Sequence, residues 1–166
     1  DGRRARVPCD TVVFTGDWTP DNELSRLRGL DLDTGHRGPL VDTALRTSAD
    51  GVFAVGNLLH PASTADRCAL DGRAAAGAVA AWASSASEPW RTRGVDITVD
   101  GPALWVVPAV VTPEPAQGEL LIQVTRPLTR PRVTVTQSGR ELWAGRLPWA
   151  VPTRPAPLPG GWRSHV

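Results

Sequence analysis

The stretch GVFAVGN, residues 51–57, gives the strongest indication of the fold in this sequence. Its apolar residues 52–55 follow one another without a polar break, and the run ends on Gly56 and Asn57. A continuous apolar run of this length is typical of a parallel strand that is covered on both faces. A glycine at the strand end lets a ligand approach the backbone, and the Asn57 amide can bond a hydroxyl or phosphate oxygen. The alternative is that Gly56 and Asn57 only make a tight turn.

A helix is predicted after the loop that follows Asn57. Ser63 or Thr64 can cap its first turn, Asp66 suits the positive end of its dipole, and an alanine-rich sequence runs on to about residue 83. Together with a second apolar run, TVVF at 11–14, this order predicts an α/β fold with parallel strands. Ligands of such sheets bind at the carboxyl ends of the strands, and free N–H groups at a helix start hold negative charge. The two features could therefore contact two parts of a long anionic ligand.

The sequence changes character after a proline-containing stretch at 84–94, which we take as a domain boundary between residues 1–90 and 95–166. Leu120, Ile122 and Val124 give one apolar face to a predicted strand, while Gln123 and Thr125 face the other way. The segment QSGR, residues 137–140, predicts a hairpin turn. Residues 95–166 are therefore expected to form a small antiparallel β-rich unit.

Composition excludes several classes of function. The chain has 166 residues and a formal net charge of +1, and its 18 basic residues are all arginine, as in a GC-rich, bacterial-like coding sequence. A near-neutral chain with scattered arginines does not favour a nucleic acid or an acidic membrane as partner. No run approaches the roughly 20 apolar residues of a membrane span, and the two cysteines are far apart with no metal-ligand spacing. We expect a cytoplasmic protein without a metal site, and the start DGRRARVPCD, without methionine, suggests a piece of a longer protein.

A family resemblance rests on four motifs that occur in order: CDTVVFTG, TPDNEL, GVFAVGN and DGRAAA. Over roughly residues 5–83 they resemble the C-terminal FAD-binding segment of the pyridine nucleotide–disulfide oxidoreductase superfamily, the thioredoxin-reductase-like flavoproteins. The resemblance implies part of a three-layer FAD/NAD(P)-binding domain, made of parallel strands and a helix. It also implies FAD as cofactor, a small-molecule substrate, and NAD(P)H as reductant in the intact protein.

The resemblance assigns cofactor-binding positions residue by residue. Asn57 corresponds to the family's acidic residue that bonds the ribityl and phosphate region, and it follows Gly56 at the strand end. The N–H groups of Thr64 and Ala65, with Asp66 next, correspond to the helix start that faces the flavin pyrimidine edge. Gly16 corresponds to the glycine after the first strand. No catalytic residue is assigned.

The sequence departs from the family in several places. Asn57 replaces the usual aspartate, and the loop GDWTPDN is one residue longer than the commoner spacing. The G-x-G-x-x-G fingerprint for the FAD pyrophosphate, any nicotinamide-binding glycine motif and the redox C-x-x-C are absent. In the family these motifs lie N-terminal to the matching segment. The chain alone is therefore expected to be inactive and to hold FAD weakly, and it needs the N-terminal remainder of the protein or a partner subunit.

Other interpretations stay open at this point. Residues 95–166 could form a non-catalytic β-rich module that binds a partner or a second subunit. His60 could contact a cofactor or lie in a solvent-facing loop. Cys68, without a nearby partner in sequence, is expected to be a buried structural thiol. Trp18 could stack on a flavin or serve in packing.

Overall fold

The computed structural model describes residues 4–13, 18–84, 94–113 and 118–166. Within these ranges two α-helices and nine strands form. The helices are α1 (Glu23–Leu27) and α2 (Ala65–Ala83), and 3-10 helices span Gly56–Leu58 and Gly161–His165. The strands are β1 (Val95–Asp96), β2 (Ala103–Val107), β3 (Val110–Val111), β4 (Leu120–Val124), β5 (Leu128–Thr129), β6 (Arg132–Gln137), β7 (Arg140–Arg146), β8 (Trp149–Ala150) and β9 (Ala156–Leu158).

All four sheets are small and antiparallel. The order β2–β4–β9 forms the largest sheet, and the pairs β1–β3, β5–β8 and β6–β7 form the others. The predicted hairpin turn between β6 and β7 is confirmed. Its central residues Ser138 and Gly139 have φ of 50° and 79°. Two consecutive positive φ angles give the turn that best matches the twist of paired strands.

The predicted three-layer α/β arrangement is wrong. Within the described ranges no two strands pair in parallel, and α2 is the one helix longer than five residues. Residues 11–13 of the first expected strand are exposed and form no strand. In the second, Phe53 makes only an isolated antiparallel bridge with Arg46. Within the described residues this apolar run pairs with no strand and packs in an irregular loop, where its backbone bonds to residues 45–47.

The segment before this run, residues 42–47, is stabilised by the buried carboxylate of Asp42. Its Oδ1 accepts hydrogen bonds from the N–H groups of Ala44 at 2.9 Å and Arg46 at 3.0 Å. Its Oδ2 accepts one from Arg46 Nε at 2.6 Å. The chain then returns through a bond from Thr47 N–H to Val52 O of 2.9 Å. A charged pair in this position satisfies backbone groups that the loop would otherwise leave unbonded.

Strand β4 separates two groups of buried side chains, because successive residues of a strand point to opposite faces. The first core cluster consists of Val41, Leu45, Ala54, Leu59, Ala75, Trp105, Val107 and Leu121. The second core cluster consists of Val106, Val111, Leu120, Ile122, Leu147, Ala156, Leu158 and Trp162. The first cluster joins residues from before and after the predicted domain boundary, which itself lies mostly outside the described residues. It also anchors the loop after Gly56 through Leu59.

Helix α2 matches its predicted bounds and its Thr64 cap position. Gly72, Ala76 and Gly77, whose small size would permit close packing, are all exposed. The one fully buried residue of the helix is Ala75. Within the described ranges, no helix has both the length and the apolar character that crossing a bilayer requires.

Candidate functional site

The candidate site is the segment from Gly56 to Asp66, which joins the apolar run to helix α2. Its first residues turn tightly, since the N–H groups of Leu59 and His60 both donate to Gly56 O, at 2.9 and 3.2 Å. Leu59 and His60 are almost completely buried. The segment is therefore fixed at its beginning by packing and by backbone bonds.

Gly56 lies against helix α2. A Cβ atom added to Gly56 would lie 3.3 Å from both Cβ and Sγ of Cys68. The φ of Gly56 is 68°, a value that side chains of L-residues rarely adopt. Its N–H donates to Asp71 Oδ2 at 3.0 Å. In this structure the missing side chain therefore admits the helix, where the sequence analysis expected a ligand.

The same Asp71 oxygen lies 2.5 Å from His60 Nε2. This carboxylate thus holds both the beginning and the middle of the turn against α2. His60 is 1% exposed, so the alternative of a solvent-facing loop histidine is wrong. Its Nδ1 is buried and has no hydrogen-bond partner among the described residues. Sequence analysis missed Asp71, although it lies one helical turn after Cys68 and so shares the helix face that meets Gly56.

Asn57 is exposed, and its side chain bonds to the backbone near the other end of the segment. Its Oδ1 accepts a hydrogen bond from the Ser63 N–H at 3.0 Å. This bond brings the asparagine beside the residues that start helix α2. Thr64 is in the extended region, with φ of −75° and ψ of 156°, and occupies the cap position, so Ala65 is the first helical residue.

Asp66 shows that the start of α2 favours negative charge. The pKa of its carboxyl is lowered by a hydrogen bond from the Thr64 hydroxyl and by bonds from the N–H groups of Asp66 and Arg67. Asp66 is exposed, so its carboxylate also has water as a partner, and its pKa is nevertheless lowered at the helix end. Free N–H groups and the helix dipole account for this preference.

The structure thus places Asn57, Thr64, Ala65 and Asp66 next to one another along one exposed segment, with Gly56 behind them against α2. Gly16 lies outside the described residues. Trp18 is strongly exposed. Across the described ranges no three His, Cys, Asp or Glu side chains lie close enough together to hold a metal ion.

These residues fit one edge of FAD. Asn57 is exposed and offers an amide to ribityl or phosphate oxygens, and the N–H groups at the α2 start suit the flavin pyrimidine edge. The Asp66 carboxylate interacts with the next two N–H groups, those of Asp66 and Arg67, so it would lie beside a flavin bound at Thr64 and Ala65. Gly56 does not fit as a direct contact, since its N–H and its open side are already used.

Comparison of the chain with protein-family models, with curated proteins and with solved structures finds no match. The resemblance to flavoproteins therefore rests on the sequence motifs alone.

Proposed function

We propose that this chain forms the flavin-contacting C-terminal portion of an FAD-dependent oxidoreductase, which NAD(P)H reduces in the intact protein. One observation carries the proposal. The exposed Asn57 amide is held beside the start of α2 by the 3.0 Å bond to Ser63 N–H, and that helix start lowers the pKa of the Asp66 carboxyl. Hydrogen-bond donors for an anionic, oxygen-rich ligand are thus grouped at one place.

In this proposal the residues of the chain bind and orient, and none is assigned a catalytic step. Asn57 bonds the ribityl or phosphate oxygens. The N–H groups of Thr64 and Ala65 bond the pyrimidine edge, where their partial positive charge stabilises negative charge. Bound FAD supplies the capacity to accept hydride, from a nicotinamide or a small substrate. The helix start influences how readily that acceptance occurs.

Helix α2 leaves large apolar side chains exposed on more than one side. Leu70, Val79 and Trp82 are each at least 40% exposed, and the Trp82 indole N–H already donates to Asp50 Oδ1 at 3.0 Å. Exposed apolar side chains grouped on one element are typical of a surface that another protein part covers. The N-terminal remainder of the protein or a partner subunit is the proposed occupant.

The test is FAD retention by the intact protein and its Asn57→Leu and Asn57→Asp variants. Leucine removes every hydrogen bond of the amide and leaves ligand oxygens against an apolar group, a loss of about 1–3 kcal/mol. FAD affinity should fall about 10- to 100-fold in Asn57→Leu. Aspartate keeps the acceptor for Ser63 N–H and matches the family's residue, so Asn57→Asp should retain FAD.

Flavin occupancy is measured by absorbance after gel filtration, and affinity by titration of the apoprotein. Because Asn57 also bonds Ser63 N–H, the unfolding midpoint of each apoprotein is measured alongside, to separate loss of the loop bond from loss of the ligand contact. Equal FAD affinity in the wild type and Asn57→Leu would contradict the assignment. An intact protein that binds no FAD would contradict the proposed function as a whole.

A further inference from the structure

A cavity of about 580 Å³ lies between the β6–β7 hairpin and the sheet β2–β4–β9. Aliphatic side chains from both sides line it. The sheet contributes Val106 and Ile122, and the hairpin contributes Val133, Val135 and Leu142. The sheet residues are fully buried, whereas Val133 and Val135 are only partly buried. The hairpin side chains pack against the second core cluster, and the cavity beside them is partly open to solvent.

Polar side chains also reach the cavity beside its aliphatic residues, namely Thr98, Thr134, Thr136 and Gln137. The charged residues that reach it are Asp96, Asp100 and Arg132, and all three are exposed, so they border it from the solvent side. Arg132 faces Glu141 on the same hairpin, with 3.7 Å between Nη2 and Oε2. Buried side-chain atoms without a partner do occur among the described residues, on His60, Gln123 and Arg163, and none of these residues lines the cavity.

The volume is too large for an ordinary packing defect. Protein interiors contain few voids larger than a water molecule, whereas sites for small molecules span about 300–1,000 Å³. The aliphatic side chains of the wall offer an apolar molecule burial, as those of a smaller engineered cavity of about 150 Å³ do for benzene.

We propose that this cavity binds an uncharged apolar small molecule, of the size of a multi-ring or branched aliphatic compound. The molecule lies between Val106 and Ile122 on the sheet and Val133, Val135 and Leu142 on the hairpin. This site involves none of the residues proposed to contact FAD. A negative result for one of the two proposals therefore leaves the other unaffected.

The probe is N-phenyl-1-naphthylamine, an uncharged apolar dye whose fluorescence rises in apolar surroundings. The chain should bind it saturably at one site. Val135→Phe and Val133→Phe place a ring inside the cavity, and each should weaken binding at least tenfold. Val79→Phe makes the same exchange on the exposed face of α2, outside the cavity, and should leave binding unchanged.

Methyl NMR spectra of the wild type locate the dye independently of any variant. On titration the methyl signals of Val106, Ile122 and Leu142 should shift, and those of Leu70 and Val79 should not. Circular dichroism establishes that each variant is folded. The proposal is overturned if the wild type shows no saturable binding, if shifts concentrate on Leu70 and Val79, or if both folded cavity variants bind like the wild type.

Discussion

At the scale of the residue, His36 has the most strongly shifted pKa in the described part of the chain. Its ring is buried and meets Trp105 edge-on, with 5.7 Å between ring centroids and an interplanar angle of 74°. Its Nδ1 lies 3.0 Å from the Gly38 N–H and accepts its hydrogen bond. Burial lowers the pKa of His36 from 6.5 to about 4, with Asp33 acting in the opposite direction and His60 in the same direction. A proton on Nδ1 would also face the Gly38 donor.

This lowered pKa predicts a loss of stability in mild acid. Below pH 6.5 the unfolded chain takes up a proton at His36, whereas the folded chain does so only near pH 4. The contribution of neutral His36 to the free energy of unfolding is therefore complete above pH 6.5. It is lost as pH falls from 6.5 to 4, by about 3 kcal/mol in all. Urea unfolding at pH 7, 5.5 and 4.5 measures it.

His36→Asn is the matched control, because the amide oxygen can still accept from Gly38 N–H but cannot titrate. Its free energy of unfolding should change less than that of the wild type over the same pH range. Parallel pH profiles for the two proteins would show that His36 does not carry this dependence.

At the scale of the element, Gly56 and Gly72 offer a direct comparison of two glycines around α2. An alanine at Gly56 would adopt a φ of 68° and place its Cβ 3.3 Å from Cys68. The left-handed conformation alone costs about 1–2 kcal/mol. Gly72 lies within α2, with no atom within 4 Å of an added Cβ. Alanine there should stabilise the helix by about 0.5–1 kcal/mol.

Denaturant unfolding of the chain without FAD tests this pair of substitutions. Gly56→Ala should lower the unfolding midpoint and Gly72→Ala should raise it. If Gly56→Ala leaves the midpoint of this FAD-free protein unchanged, the glycine does not serve the contact with α2.

The elements that sequence analysis predicted correctly depend on neighbouring residues alone. The helix start at Thr64, the first-turn acid Asp66 and the turn at Ser138 and Gly139 are local features, and all three are present, although the Thr64 side chain makes no cap hydrogen bond. The parallel strands were wrong, because pairing depends on which distant segment is adjacent. An apolar run such as GVFAV indicates only that other residues bury it, and here a loop and α2 contact it.

The candidate site follows the same division. The grouping of Asn57 with the start of α2 was predicted from the order of strand end, loop and helix. The bond from His60 to Asp71 was not, because it joins residues 11 positions apart across a turn whose path the sequence does not fix. Sequence analysis also missed what Gly56 contacts, because a bound ligand and a packed helix both need a residue without a side chain at this position.

At the scale of the whole molecule, the sheet β2–β4–β9 links the two halves of the sequence. One of its faces supplies Trp105, Val107 and Leu121 to the first core cluster, where residues 41–75 also contribute. The other face supplies Val106, Leu120 and Ile122 to the second core cluster. The division at residues 84–94 stays a prediction about domains, while the packing predicts that both halves depend on one strand, β4.

Leu120 and Leu121 test that dependence, because these neighbours on β4 are both at most 3% exposed and belong to different clusters. Each leucine-to-alanine change should destabilise the chain by about 2–5 kcal/mol, through lost burial and a new cavity. Leu70→Ala, on the exposed face of α2, should change stability by no more than about 0.5 kcal/mol. If the two clusters unfold together, calorimetry should show a single transition whose calorimetric and van't Hoff enthalpies agree, and both core variants should lower that same transition. Two resolved transitions, one lowered only by Leu120→Ala and the other only by Leu121→Ala, would show instead that the halves unfold independently on either side of the sheet.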